Sequence, residues 1–239
     1  MINEYYITFY NTFKPVYEVL YFINNNIFNI LLFIAFGLSI IYFYILINSI
    51  FLKKKEKTYD FDNKNIPFVT VQIPTYNELA AITCAKHCLE FDYPKDKYEI
   101  IIGDDSNKPE ISQKIDEFAK QHSLIKVTRR GDNIGYKPGN LNHMLKYTNG
   151  EIIVIFDSDF TPSKDFLKKI VAPFKEDERI CAVQARLDFL NANQNLISIL
   201  GSTIVSVVHH IVLPFIYKKR KISFLCGSAE AVRKNTLLK

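Results

Sequence analysis

The hydrophobic pattern divides the chain into one long apolar run and a region where short apolar runs alternate with amphipathic stretches. Residues 27–52 (IFNILLFIAFGLSIIYFYILINSIFL) carry no charge and exceed the roughly 20 residues that cross the hydrocarbon core as a helix. This run therefore predicts a transmembrane helix. The aromatic residues of 1–26 predict an interfacial or extracytoplasmic segment, or a weaker additional span, and the pattern leaves these alternatives open.

The charges beside this apolar run predict its orientation. A basic run, Lys53, Lys54, Lys55 and Lys57, follows it, whereas a cleaved signal peptide has basic residues before a shorter apolar core. By the positive-inside bias, residues 53–66 form a basic linker on the cytoplasmic side, and the rest of the chain faces the cytoplasm. The net charge of +5 is otherwise spread along the sequence and gives no indication of nucleic-acid binding.

The second region, residues 67–239, has the size of one ordinary domain. Its apolar runs predict strands at 69–74, 98–106, 124–130 and 151–159, and its amphipathic stretches predict helices at 77–90, 108–122 and 138–148. This alternation predicts an α/β fold with a mainly parallel sheet covered by helices on both faces. Ligands of such sheets bind outside the carboxyl ends of the strands, where polar residues collect in this sequence.

The stretch EIIVIFDSDFTP places Asp157 and Asp159 directly after the fourth predicted strand. In extended backbone these side chains lie on the same face, and two carboxylates suit Mg²⁺ or Mn²⁺ that keeps its other positions for water and phosphate oxygens. The alternative is a polar turn that ends the strand, because Asp and Ser are turn formers.

The stretch RRGDNIGYKPGNLNHML predicts a phosphate site. Lys137 immediately precedes a predicted helix with Pro138 in its first turn, and the free N–H groups and dipole of a helix start favour an anion. Gly135 and Gly139 allow a close approach of the backbone. The alternative is an ordinary loop with a solvated lysine.

Two adjacent carboxylates, Asp104 and Asp105, end the second predicted strand. Successive strand residues point to opposite faces, so we expect one carboxylate to serve a ligand and the other to support the loop. An acceptor carboxylate suits an N–H of uracil or guanine, and Tyr76 could stack on the base. The alternative is an Asx-type turn.

Four cysteines, Cys84, Cys88, Cys181 and Cys226, lie on the side assigned to the reducing cytoplasm, so we expect free thiols. Cys84, His87 and Cys88 form CAKHC, and the two thiols fall on one helix face. We interpret this pattern as helix packing rather than a metal site, which would need further ligands nearby.

Six motifs in order resemble the family 2 glycosyltransferases, specifically the cellulose synthase and cellulose-synthase-like branch. They are PTYNE, IIIGDDSN, GYKPGNLNHML, FDSD, VQAR and FLCGSAEAVRK, and they cover the chain from about residue 67 to its end. The resemblance implies a GT-A, Rossmann-like sheet of the nucleotide-diphospho-sugar transferase type. It further implies a nucleotide-sugar donor, a sugar or glycan acceptor and a divalent metal ion.

The resemblance also assigns donor-side roles to single residues. The tyrosine and glutamate of P-T-Y-N-E and the second aspartate of the D-D pair bind the nucleoside in that family, which implies Tyr76, Glu78 and Asp105 here. The lysine of the G-x-K-x-G-N-L-N motif contacts the donor diphosphate, which implies Lys137.

The two later motifs imply the metal and acceptor sides. The first aspartate of D-x-D contacts the nucleotide and the second coordinates the metal, which implies Asp157 and Asp159. The F-x-C-G-S segment lines the acceptor side near the transferred sugar, which implies Cys226, Gly227 and Ser228.

Two departures from the family pattern concern the polymer and the catalytic base. Cellulose synthases usually carry T-P after V-Q, whereas VQARLDFLNANQ is closer to mannan-type relatives. The family base, an aspartate of a later E-D motif followed by Q-x-x-R-W, is not present before Lys239, so the resemblance predicts it beyond that residue. The catalytic residue is therefore unknown, and Glu230 and Asp188 are the available carboxylates outside the expected motif.

A second long apolar run covers residues 196–217. A crossing there would put FLCGSAEAVRK and the D-x-D on opposite sides of the membrane, so we expect a helix packed in the domain or lying along the membrane surface. His209 and His210 are then packing or acceptor-side residues.

The sequence predicts a membrane-anchored, inverting hexosyltransferase that forms a β-linkage in a polysaccharide or glycoconjugate. UDP-glucose is the first choice of donor and GDP-mannose the second. One alternative is a catalytically incomplete donor-binding or assembly subunit. A nucleotidyltransferase is a weaker alternative, because PTYNELAA lacks the glycine-rich phosphate loop of that class.

Overall fold

The computed structural model of the chain describes residues 2–50, 61, 65–220, 222 and 224–237. The chain forms two compact units, Met1–Lys54 and Lys55–Lys239. The predicted basic run of Lys53, Lys54, Lys55 and Lys57 lies outside the described residues, as does most of the predicted linker 53–66.

The first unit contains one helix, α1 (Ile2–Ile50). It continues without a break past residue 26, so the predicted segments 1–26 and 27–52 share one element over the described residues. Its stretch Phe9–Ser49 is long and apolar enough to cross a membrane, and none of its most apolar window is buried. At 1.5 Å per residue α1 is roughly 70 Å long, which exceeds the roughly 30 Å of a hydrocarbon core.

The second unit contains a six-stranded sheet in the order β3-β2-β1-β4-β6-β5. Its strands are β1 (Val69–Thr75), β2 (Tyr98–Asp104), β3 (Ile125–Thr128), β4 (Ile152–Ile155), β5 (Ala182–Gln184) and β6 (Glu230–Arg233). The pairings of β1 with β2, β1 with β4 and β2 with β3 are parallel, and β6 is antiparallel to both neighbours. The predicted mainly parallel sheet and its first four strands are confirmed.

The helices of this unit follow the strands along the chain. They are α2 (Ala80–Leu89), α3 (Pro109–Lys120), α4 (Tyr136–Leu145), α5 (Phe166–Glu176), α6 (Leu196–Val207), α7 (Leu213–Arg220) and α8 (Lys234–Leu237). The main core lies between one face of the sheet and helices α2, α3 and α5. Cys84 and Cys88 are buried in it, which confirms their interpretation as packing residues.

Helix α4 lies on the opposite face of the sheet, and Gly103 in β2 makes this packing possible. A Cβ at position 103 would overlap Asn140 Oδ1, and Asn140 Nδ2 donates to the Gly103 carbonyl oxygen at 2.8 Å. The absence of a side chain at Gly103 therefore fixes α4 close to the strand end where the D-D pair begins.

A buried carboxylate, Glu99, lies near the start of β2, away from the carboxyl ends of the strands. It accepts hydrogen bonds from Lys126 Nζ at 2.6 Å and Thr70 Oγ1 at 2.7 Å. Burial raises the pKa of Glu99, but the bonds from Lys126, Asn149 and Thr70 outweigh it and hold the pKa below its usual value. Glu99 thus joins three strands without touching the opposite edge.

The apolar run after β5 forms α6, a π-helical segment (Val208–Val212) and α7. Leu196–Arg220 is long and apolar enough to cross a membrane by length and composition. No residue of α6 is buried, so packing inside the domain, one of the two predicted alternatives, is wrong for α6, and a position along the membrane surface stays a prediction. His209 in the π-helical segment is buried and serves packing. The exposed apolar residues of α6 fall on one side of the helix. They are Leu196, Ile197, Ile199, Leu200 and Ile204.

Candidate active site

A cleft of about 470 Å³ opens at the carboxyl ends of β1, β2 and β4. It is lined by Pro74, Thr75, Tyr76, Glu78, Asp105, Asn133, Tyr136, Lys137, Asn140, Asp157 and Ser158. A smaller pocket of about 260 Å³ adjoins it and shares Tyr76, Asp105 and Asn133 with it. Because they share these residues, the two pockets form one groove.

The structure brings all five predicted donor-binding residues into the lining of the larger pocket. They come from four separate stretches of the sequence, after β1, after β2, at the start of α4 and after β4. Their meeting follows from the parallel pairing, because the carboxyl ends of parallel strands share one edge. The predicted metal residue Asp159 and the predicted acceptor residues lie just outside this lining.

Asp105 lies at the junction of the two pockets and is tightly held by Arg130. The guanidinium donates from Nη2 to Oδ2 at 2.6 Å and from Nε to both carboxylate oxygens at 3.0 and 3.1 Å. The Asp105 side chain is only 5% exposed, whereas Tyr76 beside it is 47% exposed. This end of the groove therefore presents a fixed acceptor carboxylate next to an open aromatic face.

The neighbouring Asp104 is fully buried and belongs to the loop framework. Its oxygens accept from Arg129 Nε at 2.8 Å, Ser112 Oγ at 2.7 Å and the Ser106 amide at 3.0 Å. Burial raises the pKa of Asp104, but the bonds from Ser106, Ser112 and Arg129 outweigh it and hold the pKa below its usual value. The two adjacent carboxylates thus point to different surroundings, as strand alternation predicts.

Asn77 joins the loop after β1 to the loop after β2. Its backbone has a φ of 57°, a left-handed conformation that asparagine tolerates better than most residues. Its amide donates to Ser106 Oγ at 2.8 Å, and its Oδ1 accepts from the Asn107 and Lys108 amides at 3.0 and 3.2 Å. The two loops that carry Tyr76 and Asp105 are therefore one hydrogen-bonded unit.

Lys137 forms the centre of the opposite end of the groove. Its Nζ pairs with Asp157 Oδ1 and donates to the Gly227 carbonyl oxygen at 2.6 Å. The helix begins at Tyr136, so Lys137 stands inside its first turn rather than before it. Little of the helix start is left for an anion, because Tyr136 N bonds Asn133 O and Pro138 has no N–H. The cation of Lys137 is thus the main phosphate-attracting group here.

Asp157 and Asp159 lie in a turn, so the expectation of extended backbone is wrong. β4 ends at Ile155, and the Phe160 amide donates to the Asp157 carbonyl oxygen at 3.1 Å. Ser158 between them is buried, and its Oγ donates to Glu78 Oε1. The chain turns because Phe156 packs in the core and Ser158 bonds the first loop, which leaves Asp157 half-buried and Asp159 exposed.

The donor set at this turn fits a divalent cation only in part. Within the described residues, no group of three or more His, Cys, Asp or Glu side chains is close enough to hold a metal. Asp159 is exposed, and Asp157 is shared with Lys137. Two carboxylates with open positions match a hard cation such as Mg²⁺ or Mn²⁺ that takes its remaining ligands from diphosphate and water.

The predicted acceptor segment is fixed from both sides. Gln184 Nε2 donates to the Ser228 carbonyl oxygen at 2.9 Å, and Gln184 Oε1 accepts from the Cys226 amide at 2.7 Å. Ser228 Oγ accepts from the Asp157 amide at 2.9 Å, which ties the segment to the D-x-D turn. Gly227 has a φ of 81°, which favours glycine and turns its carbonyl oxygen toward Lys137.

Glu230 and Asp188, the two carboxylates noted for the missing base, differ in their surroundings. Glu230 is buried, and its Oε2 accepts from the Gly227 amide at 2.8 Å. Burial raises the pKa of Glu230, and the partly opposing effects of the Gly227 amide and Lys137 do not cancel the rise. Asp188 is exposed. Glu230 thus supports the turn at Gly227, and Asp188 stays in solvent.

The sequence analysis missed two groups that organise the site. Arg130 holds Asp105, and Gln184 holds the acceptor segment. Both lie within quoted motifs, RRGDNIG and VQAR, so the signal was position in a motif rather than residue chemistry. Gly139 also has another use than the predicted approach to a ligand, because a Cβ there would overlap Arg130 Nη1 and the Ile134 carbonyl oxygen.

Comparisons with known proteins place this groove in context. Residues 70–237 match the family described as Glycosyl transferase family 2. A β-monoglucosyldiacylglycerol synthase from Nostoc sp. is 37% identical over 133 residues, 55% of this chain and 28% of that protein. Glucomannan 4-β-mannosyltransferase 2 from Arabidopsis thaliana is 31% identical over 172 residues, 64% of this chain and 32% of that protein.

A solved structure gives the same result for the fold. The mannosyltransferase PcManGT from Pyrobaculum calidifontis, in complex with GDP-Man and Mn²⁺, has a TM-score of 0.54 and 29% identity over 64% of this chain and 44% of that one. This similarity confirms the predicted GT-A sheet. The chain spans less than half the length of each of these three proteins.

Proposed function

Because this chain belongs to glycosyl transferase family 2, we propose that it transfers a hexosyl group from a nucleotide-diphosphate sugar to an acceptor hydroxyl at a membrane. The observation that carries the proposal is the single groove in which Tyr76, Asp105 and Lys137 meet, together with Glu78 and Asp157. A nucleoside fits the end with the open tyrosine face and the fixed carboxylate. A diphosphate fits the end with the lysine cation.

Asp105 and Tyr76 recognise the base in this proposal. The Asp105 carboxylate is an acceptor for a base N–H, and the half-exposed ring of Tyr76 offers a stacking surface. Glu78 has one oxygen bonded to Ser158, which aligns it along the groove wall and joins it to the D-x-D turn. The nucleoside is thus held by groups whose positions do not depend on its presence.

Lys137 and Asp157 change partners when the diphosphate binds. Without a ligand each neutralises the other, and the pair is half-exposed. A diphosphate oxygen competes with Asp157 for the ammonium group, and Lys137 then stabilises the negative charge that develops on the leaving group. Asp159, with Asp157 beside it, would hold Mg²⁺ or Mn²⁺, which supplies further charge neutralisation when bound.

The transfer itself is a substitution at the anomeric carbon. The acceptor oxygen forms a bond to that carbon while the bond to the diphosphate oxygen breaks, and the nucleoside diphosphate leaves with the electron pair. The acceptor proton passes to a general base, which the described residues do not identify. Inversion gives a β-linkage, and Cys226, Gly227 and Ser228 line the side from which the acceptor approaches.

The donor is UDP-glucose as first choice and GDP-mannose as second. The name of the Nostoc relative includes a glucosyl product, and the names of the Arabidopsis and Pyrobaculum proteins include mannosyl transfer. The acceptor is a glycan or a glycoconjugate.

The membrane is the second partner, and the transferase unit faces the cytoplasm. α1 supplies the anchor, and the basic residues after it in the sequence match the cytoplasmic side. The exposed apolar side of α6 and the basic end of α7, Lys218, Lys219 and Arg220, suit a helix that lies along the membrane surface. A fluorophore on Ile197→Cys, in a chain that also carries Cys181→Ser and Cys226→Ser, quenched by shallow but not deep spin-labelled lipids, would support this position over a crossing.

Calorimetry on the full chain in lipid nanodiscs tests the proposed function. UDP-glucose and GDP-mannose are titrated with and without Mn²⁺ into the natural chain, Asp159→Ala and the matched control Asp92→Ala. Asp92 is exposed and paired with Lys168 outside the groove. We expect Mn²⁺-dependent binding of one donor, lost in Asp159→Ala and unchanged in the control.

Three results would each contradict one part of this proposal. If the folded protein binds neither donor, with or without Mn²⁺, the assignment of the donor site is wrong. If Asp159→Ala binds the donor as tightly as the natural chain does, Asp159 is not the metal ligand, and the donor site is unaffected. Binding without release of nucleoside diphosphate, in the presence of glycan and lipid acceptors, favours the donor-binding subunit instead.

A further inference from the structure

Arg130 reaches both ends of the groove without lining it. It lies two residues after the end of β3, and its side chain is only 11% exposed. Among the described residues that line the two pockets, Tyr76 and Asp105 mark the base end and Lys137 the phosphate end, and Arg130 is absent from both linings. An arginine so placed acts on a ligand through other residues.

The first contact of Arg130 is the base-side carboxylate. Its guanidinium engages both oxygens of Asp105, in the two-point geometry that fixes orientation as well as distance. Asp105 therefore has no freedom to rotate while this pair is intact.

The second contact is the loop that leads into α4. Arg130 Nη1 donates to the Ile134 carbonyl oxygen at 2.5 Å, and Nη2 donates to the Tyr136 carbonyl oxygen at 3.1 Å. Tyr136 has a φ of 47°, an unfavourable value for an aromatic residue, and it immediately precedes Lys137. The same guanidinium thus holds a strained backbone position next to the phosphate-side lysine.

Gly139 provides the space in which the guanidinium lies. A Cβ at position 139 would overlap Arg130 Nη1 and the Ile134 carbonyl oxygen. Gly139 is inside α4, where alanine ordinarily stabilises a helix more than glycine does. The glycine is therefore explained by the arginine beside it and not by the helix.

We propose that Arg130 is a positioning residue that couples the base end of the groove to its phosphate end, and that Gly139 provides the space for its guanidinium. The inference rests on the proposed function for its ligand, but its structural part does not depend on any ligand. Loss of the guanidinium frees Asp105 and the loop of residues 131–136 together. Both ends of the groove then lose their alignment from one substitution.

Hydrogen exchange on the full chain in nanodiscs, without ligand, tests the structural part. The variants are Arg130→Gln, Arg130→Lys, Gly139→Ala and the double variant Arg130→Gln/Gly139→Ala. The matched control is Lys126→Gln in β3, which removes the cation paired with the buried Glu99 near the start of β2.

We expect amides of residues 131–137 to exchange at least about tenfold faster in Arg130→Gln, as loss of charge-assisted bonds implies. Arg130→Lys gives a smaller increase because lysine cannot make the two-point contact. Gly139→Ala reproduces the Arg130→Gln pattern, and the double variant is no faster than either single one. Lys126→Gln leaves this loop unchanged.

Opposite results would overturn the proposal. Unchanged exchange at residues 131–137 in Arg130→Gln shows that the guanidinium does not hold the loop. A slower exchange and higher Tm in Gly139→Ala would show that the residue acts only through helix propensity. Additive effects in the double variant would separate Gly139 from Arg130.

Titrations of uridine or guanosine, and of pyrophosphate with Mn²⁺, test the functional part. If Arg130 couples the two ends, Arg130→Gln weakens the binding of both the nucleoside and pyrophosphate by about tenfold. If its role is confined to Asp105, only the binding of the nucleoside is weakened. If the natural chain binds neither UDP-glucose nor GDP-mannose, the proposed function fails, while the exchange data still decide whether Arg130 fixes the loop.

Discussion

The two ends of the groove are held in different ways. At the base end, Asp104 and Asp105 are each bound by an arginine, and Asn77 joins the two loops that carry the recognition residues. At the phosphate end, Lys137 and Asp157 are half-exposed and mainly satisfy each other. The base end is preorganised by contacts that a ligand does not disturb, whereas the phosphate end contains charges that a ligand must take over.

This difference predicts whether a substitution changes stability, affinity or both. A base-end residue contributes to the folded framework and to recognition, so its loss lowers both the free energy of unfolding and affinity. A phosphate-end residue pairs with a partner that solvent can replace, so its loss lowers affinity with little effect on stability. Substitutions at the two ends of the groove test that separation.

Lys137→Ala should have the largest effect on donor binding. It removes the cation that faces the diphosphate and leaves Asp157 as an unopposed negative charge in the same pocket. We expect a loss of about 100-fold in affinity for the nucleotide sugar, the size of a lost charge-assisted bond plus added repulsion. Calorimetry with the preferred donor and Mn²⁺ measures the loss.

The control for this variant is its thermal stability. The Tm of Lys137→Ala should stay within a few degrees of the natural chain, and Lys137→Arg should recover part of the binding. A large drop in Tm would contradict the proposed difference between the two ends, because the phosphate end would then also be part of the folded framework.

Asp105→Asn should lower affinity and stability together. Asparagine keeps one acceptor oxygen but loses the negative charge and the second acceptor, so Arg130 is left with a neutral partner at a nearly buried site and the hydrogen bond to a base N–H is weaker. We expect about tenfold weaker binding and a loss of about 1–3 kcal/mol in the free energy of unfolding. Nucleotide titration and urea denaturation at one pH measure the two effects.

An outcome in which Asp105→Asn changes affinity alone would contradict the preorganised base end. Asp116→Asn offers a comparison, since Asp116 pairs with Arg129 from an exposed position and lies outside the larger pocket. Its effect on stability should be under about 1 kcal/mol.

Asp104→Asn should change stability more than binding, and it should change the response to acid. The pKa of Asp104 lies below its ordinary value of 3.8, because the bonds from Ser106, Ser112 and Arg129 outweigh the effect of burial. Its carboxylate therefore stabilises the fold above the unfolded pKa, and this contribution is lost as the pH falls through the folded pKa.

Urea denaturation between pH 7 and pH 3 measures this effect. At pH 7 we expect Asp104→Asn to lose about 1–3 kcal/mol in the free energy of unfolding. The loss should shrink on acidification below about pH 4, where the natural chain also loses the carboxylate. A constant difference across this range would show that Asp104 acts through packing and not through its charge.

The sequence was sufficient for the elements whose pattern is local. β1 and β2 are buried along their whole length and end in Thr75 and Asp104, and parallel pairing then places the residues after them at one edge. The five predicted donor residues line one pocket for that reason. Their positions followed from strand ends and motifs, which are properties of short segments.

The pattern of hydrophobic and polar residues could not predict long-range side-chain pairs or local turns. The turn at Asp157 and Asp159 depends on Ser158 meeting Glu78, which is 80 residues away in the chain. The role of Arg130 depends on a loop and a carboxylate from other segments, and an arginine after a strand has many possible partners. For α6 the sequence left two alternatives open, because length and hydropathy do not distinguish a helix packed in the domain from a surface helix.

The smallest predicted effect concerns the bracing of the phosphate end from outside. Gln184 bonds the backbone on both sides of Gly227, whose carbonyl oxygen accepts from Lys137, so Gln184→Ala loosens one of the two partners of that lysine. Since Asp157 remains, we expect only about three- to fivefold weaker donor binding, about 0.6–1 kcal/mol. Gln184→Glu keeps the acceptor for the Cys226 amide and loses the donor, so it separates the two bonds. A tenfold or greater loss in Gln184→Ala would mean that the phosphate end is braced as firmly as the base end, and the contrast between the two would then lie in exposure alone.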